Sequence, residues 1–464
     1  MIGRVDELLS AEHGRAVASL CELLRIPSIS TDPQHAGDVG RAARWVADYL
    51  SRAGFSTEIW QTAGHPAVFG EWSGAGAGAG AGAATVLVYG HHDVQPTGDP
   101  ALWSSPPFEP TIRDDGRIVA RGSADDKGQF FAQVLAGEAW LRAAGRLPLN
   151  LKFLIEGEEE VGSPNLGALL REKRDRLTCD VVVVSDTPVW KPGQPTISLG
   201  TRGLMGVEVR VIGPNRDLHS GMYGGSVPNP IAVLARMLAQ LHDERGRVTV
   251  PGFYNDVCEI DAQLRDEWAR LGFDDARESR QLGCGLSGEA AYSTLERRWA
   301  RPTLEFNGIT GGYQGPGSNT IVPSRASAKI TCRMVPGQDA ARLAERLQEH
   351  LRTLAPPTVR VEFLPRKVNS PAYSIDPNHP GLRALARSFQ PVYGVDPVRV
   401  REGLTLPILP QFKTVLGADT VLMGFCDPDC RAHSFDEFFH GDDLLRGART
   451  AARFLDEYAR VARE

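Results

Sequence analysis

The sequence predicts an α/β protein built on a mixed, largely parallel sheet and interrupted by a smaller α+β domain. Three observations carry this. First, short apolar runs alternate with stretches of helical period in the first 200 residues and again after about residue 379, as in strands joined by crossover helices. Second, the apolar runs at 85–89, 151–155 and 181–184 lead directly into polar, ligand-capable residues. Strands of an open α/β sheet present their sites in this way, at their carboxyl ends. Third, between 201 and 375 the order becomes strand, helix, strand, strand, helix, strand, the split unit of ferredoxin-like domains. At 464 residues the chain exceeds one ordinary core, so two domains are expected.

The elements follow in order. Residues 5–24 have helical period and end at Pro27; a second helix over 38–53 stops at Gly54. Strands are expected at 57–60 and 67–72. Residues 74–84 repeat Gly and Ala, a low-complexity run that reads as a surface connection between two strands. The strand 85–89 ends in GHHDVQP. Residues 118–122 lead into SADDKG, and 129–143 form a helix. The strand 151–155 ends in EGEEEVGS, a helix lies near 165–173, and the strand 181–184 is apolar enough to be buried on both faces. In the inserted domain, strands are expected at 204–212, 304–306, 328–334 and 359–363, and helices at 230–241 and 340–354. Residues of about 243–300 read as a mixed insertion. The first pattern then resumes with a helix at 381–392, strands near 398–401 and 420–425, and a helix at 442–460. The first domain therefore comprises 1–200 and 376–464, and the inserted domain 201–375.

Composition narrows the function. The chain is 42% apolar and 23% charged, as in a globular protein, and its net charge of −6 argues against nucleic acid or an anionic membrane as partner. The first residues form no apolar signal segment, and no apolar run is long enough to span a bilayer. Seven scattered cysteines suit reduced thiols in a cytoplasmic protein better than a disulfide framework.

Chemistry concentrates around 151–163. Glu156, Glu158, Glu159 and Glu160 stand within five residues of one another at the end of a buried strand. Like charges so placed repel unless something positive lies among them. A solvated acidic turn satisfies this, and so does a metal site with a spare carboxylate as general base. In GHHDVQP, His91 and Asp93 share one face of an extended segment, so one can bind a metal while the other steadies the imidazole. Asp125 and Asp126 follow a turn, where an N-cap is the plain reading. Asp186 ends a buried strand, where an unpaired carboxylate is unfavourable, and His433 lies far along the chain. Together His91, Asp125, Glu160, Asp186 and His433 exceed what one catalytic zinc uses. They match two divalent ions about 3.5–4 Å apart sharing a carboxylate. Imidazole with carboxylate suits zinc, or manganese or cobalt. Water bridging two such ions loses a proton near neutral pH, and Glu159, left over, could take it. Cys426 and Cys430 also stand four apart near His433, but soft thiolates would compete with the carboxylate site. His92, His440 and Trp103 read as structural or solvated.

The series GHHDVQP, ARGSADDKG, EGEEEVGS, VSDT, DLHSGMYGG, REGLTLP and AHSFDE resembles the cytosolic non-specific dipeptidase and carnosinase branch of the di-metal aminopeptidase, aminoacylase and carboxypeptidase superfamily. The motifs run in order over nearly the whole chain. The resemblance implies a phosphorylase/hydrolase-like catalytic domain of di-metal exopeptidase type carrying an inserted lid and dimerisation domain. It implies that His91, Asp125 and Asp186 hold one metal and Asp125, Glu160 and His433 the other. Glu159 would be the general acid/base and Asp93 the orienter of His91. The peptide Asp125–Asp126 would be cis. It further implies that His219 helps hold the scissile carbonyl of a partner subunit's substrate. Arg333 would grip the substrate carboxylate, and Asn319, Thr320, Gly403 and Thr405 would lie among the substrate contacts. The expected activity is hydrolysis of a dipeptide with a free carboxylate by a homodimer. Removal of an acyl group from an N-acyl amino acid uses the same chemistry, whereas a pure metal- or peptide-binding protein has no need of a base such as Glu159. One departure stands out: the family's loop reads REGGS where this chain has Arg401-Glu402-Gly403-Leu404-Thr405, so side-chain preference does not carry over.

Overall fold

The apolar runs that precede the chemistry lie side by side at the centre of a six-stranded sheet. In the computed structural model, which describes residues 1–74, 83–364 and 369–463, its order is Ser56–Trp60, Ala67–Trp72, Asn150–Glu156, Thr85–His91, Val181–Val184, Asp419–Leu422. The last four run parallel and the first two form an antiparallel edge hairpin, so the sheet is mixed and largely parallel, as expected. Val181–Val184 is fully buried, the consequence of cover on both faces. Register decides where each strand ends. His91 lies opposite Glu156, Tyr89 opposite Val184, and Val184 opposite Leu422. The carboxyl ends of four parallel strands are therefore level. Most of the Gly-Ala run expected at 74–84 lies outside the described residues.

The chain divides into two units: Met1–Leu199, Ile375–Arg399 and Gln411–Glu464 form one, Gly200–Ser374 and Val400–Pro410 the other. In the first, Lys127–Ala144 is buried around almost its whole girth and packs on Gly441–Val461, whose apolar stripe faces inward. The helix expected over 5–24 is two helices, Ile2–Ala11 and His13–Leu24, meeting at Glu12. Glu12 leaves helical geometry there, and its carboxylate pairs with Arg15 and Arg142.

The second unit has an antiparallel sheet in the order Thr303–Gly311, Arg325–Met334, Gly203–Ile212, Arg360–Leu364. With helices Pro230–Ala239 and Ala340–Leu354 this is the ferredoxin-like arrangement that the element order predicts. Alternate residues Met205, Val207, Val209 and Val211 face one core, with Ile330, Leu234 and Leu347 against them. Residues 400–410 correct the expected boundary: the sequence pattern assigns them to the closing segment of the first domain, yet they group with the second unit. The reason is local. Arg202 hydrogen bonds to the carbonyls of Glu402, Gly403 and Leu404, and Arg333 to the Thr405 hydroxyl. The helix Ile408–Leu416 is not among the expected elements; it accommodates Pro410 because that residue falls in its first turn, where a missing N–H costs nothing.

Candidate metal centre and active site

The level strand ends place the polar residues at one edge of the sheet. His91 is the last residue of its strand; Glu159 and Glu160 open a 3-10 turn just past Glu156; Asp186 follows Val184; and the loop after Leu422 carries His433. Donor atoms of His91, Asp125 and Asp186 lie within 4.8 Å of one another, and so do those of Asp125, Glu160 and His433. Asp125 belongs to both groups. Its Oδ1 is 3.1 Å from His91 Nε2, and its Oδ2 is 2.9 Å from His433 Nε2, which is also 3.3 Å from Glu160 Oε2. The peptide Asp125–Asp126 is cis.

The four glutamates crowded in sequence are separated in space. Glu156 turns inward to the hydroxyls of Tyr89 and Ser163, and burial pushes its carboxyl up to about 8. Glu158 is held by the Asn165 amide at 2.9 and 3.0 Å. Glu159 and Glu160 are left to the site. Asp93 does two things. Its backbone oxygen and carboxylate face His91 Nδ1 at 3.1 and 3.4 Å, and the carboxylate accepts the backbone N–H groups of Glu159 at 3.3 Å and Glu160 at 3.1 Å. Gln95, in the same motif but not singled out from sequence, donates to Glu160 Oε2 at 2.8 Å.

A second residue escaped sequence reasoning. The buried Glu437 carboxylate accepts from the backbone N–H groups of Gly122 (3.0 Å), Ala124 (2.9 Å) and Asp125 (3.0 Å), and from Arg121 Nη1 at 2.7 Å. It thereby moulds the turn that presents Asp125. The only sequence signal was a carboxylate following AHSFD, four residues beyond His433.

The electrostatics are those of a place made for cations. Burial, then the charges of Asp125 and Asp126, push Asp186 well above the ordinary carboxylate range. Burial pushes Glu159 up to about 7, with Glu160 and Asp125 adding to it. Burial alone would depress His91, but Asp125 and Asp93 hold it well above its usual value. Asp125 and Glu160 raise His433 to about 10. Among the described residues, Asp126 Oδ1 and His91 Nε2 are buried without a well-directed hydrogen bond, the approach of His91 Nε2 to Asp125 being an ion-pair contact only. A cluster so rich in carboxylates, with two imidazoles, fits divalent ions; the hard oxygen and borderline nitrogen donors suit the class inferred from sequence. Cys426 and Cys430 are buried free thiols, and neither belongs to these donor groups. His92 Nε2 donates to the Pro66 carbonyl at 3.1 Å, and Trp103 Nε1 donates to the Thr97 carbonyl at 2.9 Å.

In the second unit the expected substrate contacts form two sets. His219 pairs with Ile321 across a short ladder, and the Thr320 carbonyl accepts from the next residue, Ser220, so His219, Asn319 and Thr320 lie together. His219 Nδ1 accepts from the Gly221 N–H at 3.0 Å. Arg333 Nη1 donates to Thr405 Oγ1 at 2.6 Å, with Gly403 two residues before.

Comparison with known proteins agrees with this architecture. The chain is 28% identical to the Cys-Gly metallodipeptidase dug1 of Schizosaccharomyces pombe, over 99% of each. It is 30% identical to the human Beta-Ala-His dipeptidase, over 81% of this chain and 75% of that one. The solved structure of the metallo-carboxypeptidase Sso-CP2 from Sulfolobus solfataricus superposes with a TM-score of 0.81 at 31% identity, over 96% of this chain and 99% of that one. A family model matches residues 87–457, and the chain, a hydrolase of the metallopeptidase class, belongs to peptidase family M20/M25/M40.

Proposed function

We propose that this metallopeptidase cleaves dipeptides bearing a free C-terminal carboxylate, with two divalent ions, most readily zinc, held at the sheet edge. The observation that carries the reading is the pair of donor groups sharing Asp125. His91, Asp125 and Asp186 would hold one ion, and Asp125, Glu160 and His433 the other. Bound there, the ions supply Lewis acidity, lowering the pKa of water and polarising the amide carbonyl. The chain's own residues do the rest. Glu159, outside both donor groups and next in sequence to Glu160, takes the proton of the attacking water and delivers it to the leaving nitrogen. Asp93 keeps His91 in the tautomer whose Nε2 lone pair faces Asp125. Arg333, steadied by Thr405, grips the carboxylate that marks a C-terminal residue, and His219 with Asn319 and Thr320 contacts the peptide backbone. The names of two of the three relatives, both dipeptidases, support this substrate class.

The test is metal analysis and a substrate panel on one preparation. Two ions per chain, loss of activity on chelation, recovery with zinc, manganese or cobalt, and turnover of free dipeptides above tripeptides and N-acyl amino acids are expected. A preference for N-acyl amino acids would overturn the substrate assignment.

The enzyme is read as a cytoplasmic homodimer paired through the second unit. Free thiols suit a reducing compartment. Within that unit Met222, Phe306, Ile309 and Tyr313 are exposed, and among the described residues Thr303–Gly311 is an edge strand with one side of its ladder open. Light scattering is expected to give twice the chain mass, and Ile309→Asp to give monomers with sharply lowered activity. A fully active monomer would rule out donation of His219 to a partner's site.

A further inference from the structure

We infer that Arg202 is a positioning residue for the substrate carboxylate, acting through the loop 402–405 that steadies Arg333. The inference rests on Arg333 being the group that grips that carboxylate.

Arg202 sits between the strands Thr196–Thr201 and Gly203–Ile212. Its backbone N–H is shared by the carbonyls of Glu402 at 3.2 Å and Leu404 at 3.1 Å, and its Nε donates to the Gly403 carbonyl at 3.0 Å. One residue thus satisfies three successive carbonyls. The loop is confined from the other side too. A Cβ at Gly403 would stand 2.9 Å from the Arg298 carbonyl and 3.3 Å from Arg202 Nη2, so the backbone fits only as glycine. Thr405 follows, and its hydroxyl takes the 2.6 Å bond from Arg333. The path from Arg202 to Arg333 therefore runs through one short loop with hydrogen bonds at both ends.

Charge separates this arrangement from structural glue. Buried arginines that only stabilise a fold are paired, as Arg301 is with Glu289 at 2.7 and 2.9 Å in the same unit. Neither Arg202 nor Arg333 has a carboxylate within ion-pair distance among the described residues, although Arg202 is largely and Arg333 half removed from water. Burial and the charge of Arg333 bring Arg202 down to about 10, against the opposing charge of Glu305. Both line a cavity of about 890 Å³. Glu305 lines the same cavity and acts on Arg202 from a distance, but neither arginine is paired with it directly, so an anion such as the free end of a dipeptide can still take both guanidinium forks.

The test uses the full-length, metal-loaded enzyme and compares a dipeptide with its C-terminal amide. For Arg333→Met the acid-over-amide preference is expected to collapse by about a hundredfold or more. For Arg202→Met, KM for the dipeptide rises about tenfold, kcat stays within threefold, and the preference falls about tenfold. Thr405→Ala follows Arg202→Met, Thr405→Ser restores the preference, and the double variant Arg202→Met with Thr405→Ala is no worse than the worse single one. If Arg333→Met collapses the preference and Arg202→Met leaves it intact, the inference fails alone. An equal loss on acid and amide in Arg202→Met, with a lowered melting temperature, makes Arg202 structural and also overturns it. If Arg333→Met leaves the preference intact, the reading beneath it fails. Should Arg202→Met not fold, Arg202→Lys decides: it keeps the charge but loses the Nε bond, and its preference falls or the inference does.

Discussion

Glu159→Gln is expected to lower turnover by roughly two to four orders of magnitude while leaving two metal ions per chain, the scale of losing a positioned acid/base. The substitution keeps shape and volume. It also keeps the backbone N–H that the Asp93 carboxylate receives, so the turn carrying Glu160 stays in place. What goes is the ability to take a proton and give it back. Measuring kcat beside metal content by mass spectrometry separates the two effects. Wild-type turnover in this variant would remove Glu159 from the chemistry; loss of metal with turnover would make it a ligand instead.

Glu437→Gln is expected to destabilise the protein by about 3 kcal/mol or more, the scale of breaking a buried ion pair. Three backbone donors and the Arg121 guanidinium converge on this carboxylate; all but the partly buried Asp125 N–H are shielded from water. An amide in its place offers one acceptor oxygen and turns N–H groups toward donors, leaving Arg121 without its counter-charge. Because one of those donors is the backbone of Asp125, metal affinity should fall as well. Thermal melts of the metal-loaded and metal-stripped variant, with Glu437→Asp beside it, measure both. An unchanged melting temperature and unchanged affinity would mean that the turn is held by other contacts.

Much of this architecture was legible because period and position carry physical meaning. His91, the Glu159–Glu160 pair and Asp186 each follow an apolar run, and the sheet that buries those runs makes their ends level. The inserted unit was legible through element order, since strand 325–334 pairs with both of its neighbours once the helices are assigned to one face. What stayed hidden depends on contacts without local pattern. Glu437 meets Gly122, Ala124 and Asp125 across more than 300 residues, from a segment where Arg431, His433 and Asp436 take left-handed backbone angles. No strand or helix period marks such a stretch. Arg202 was invisible for a related reason: its partners are carbonyl groups, which every residue has. The return of 400–410 to the second unit follows from the same bonds.

Asp93 has one more consequence. Its carboxylate fastens the turn after one strand, while its own strand ends in the imidazole beside it. If the two strands slide against each other, His91 and Glu159 drift together, and the spacing of the proposed ligand and the proposed base survives. Thermal breathing of the sheet then becomes common-mode error, to which a reaction that depends only on relative position is blind.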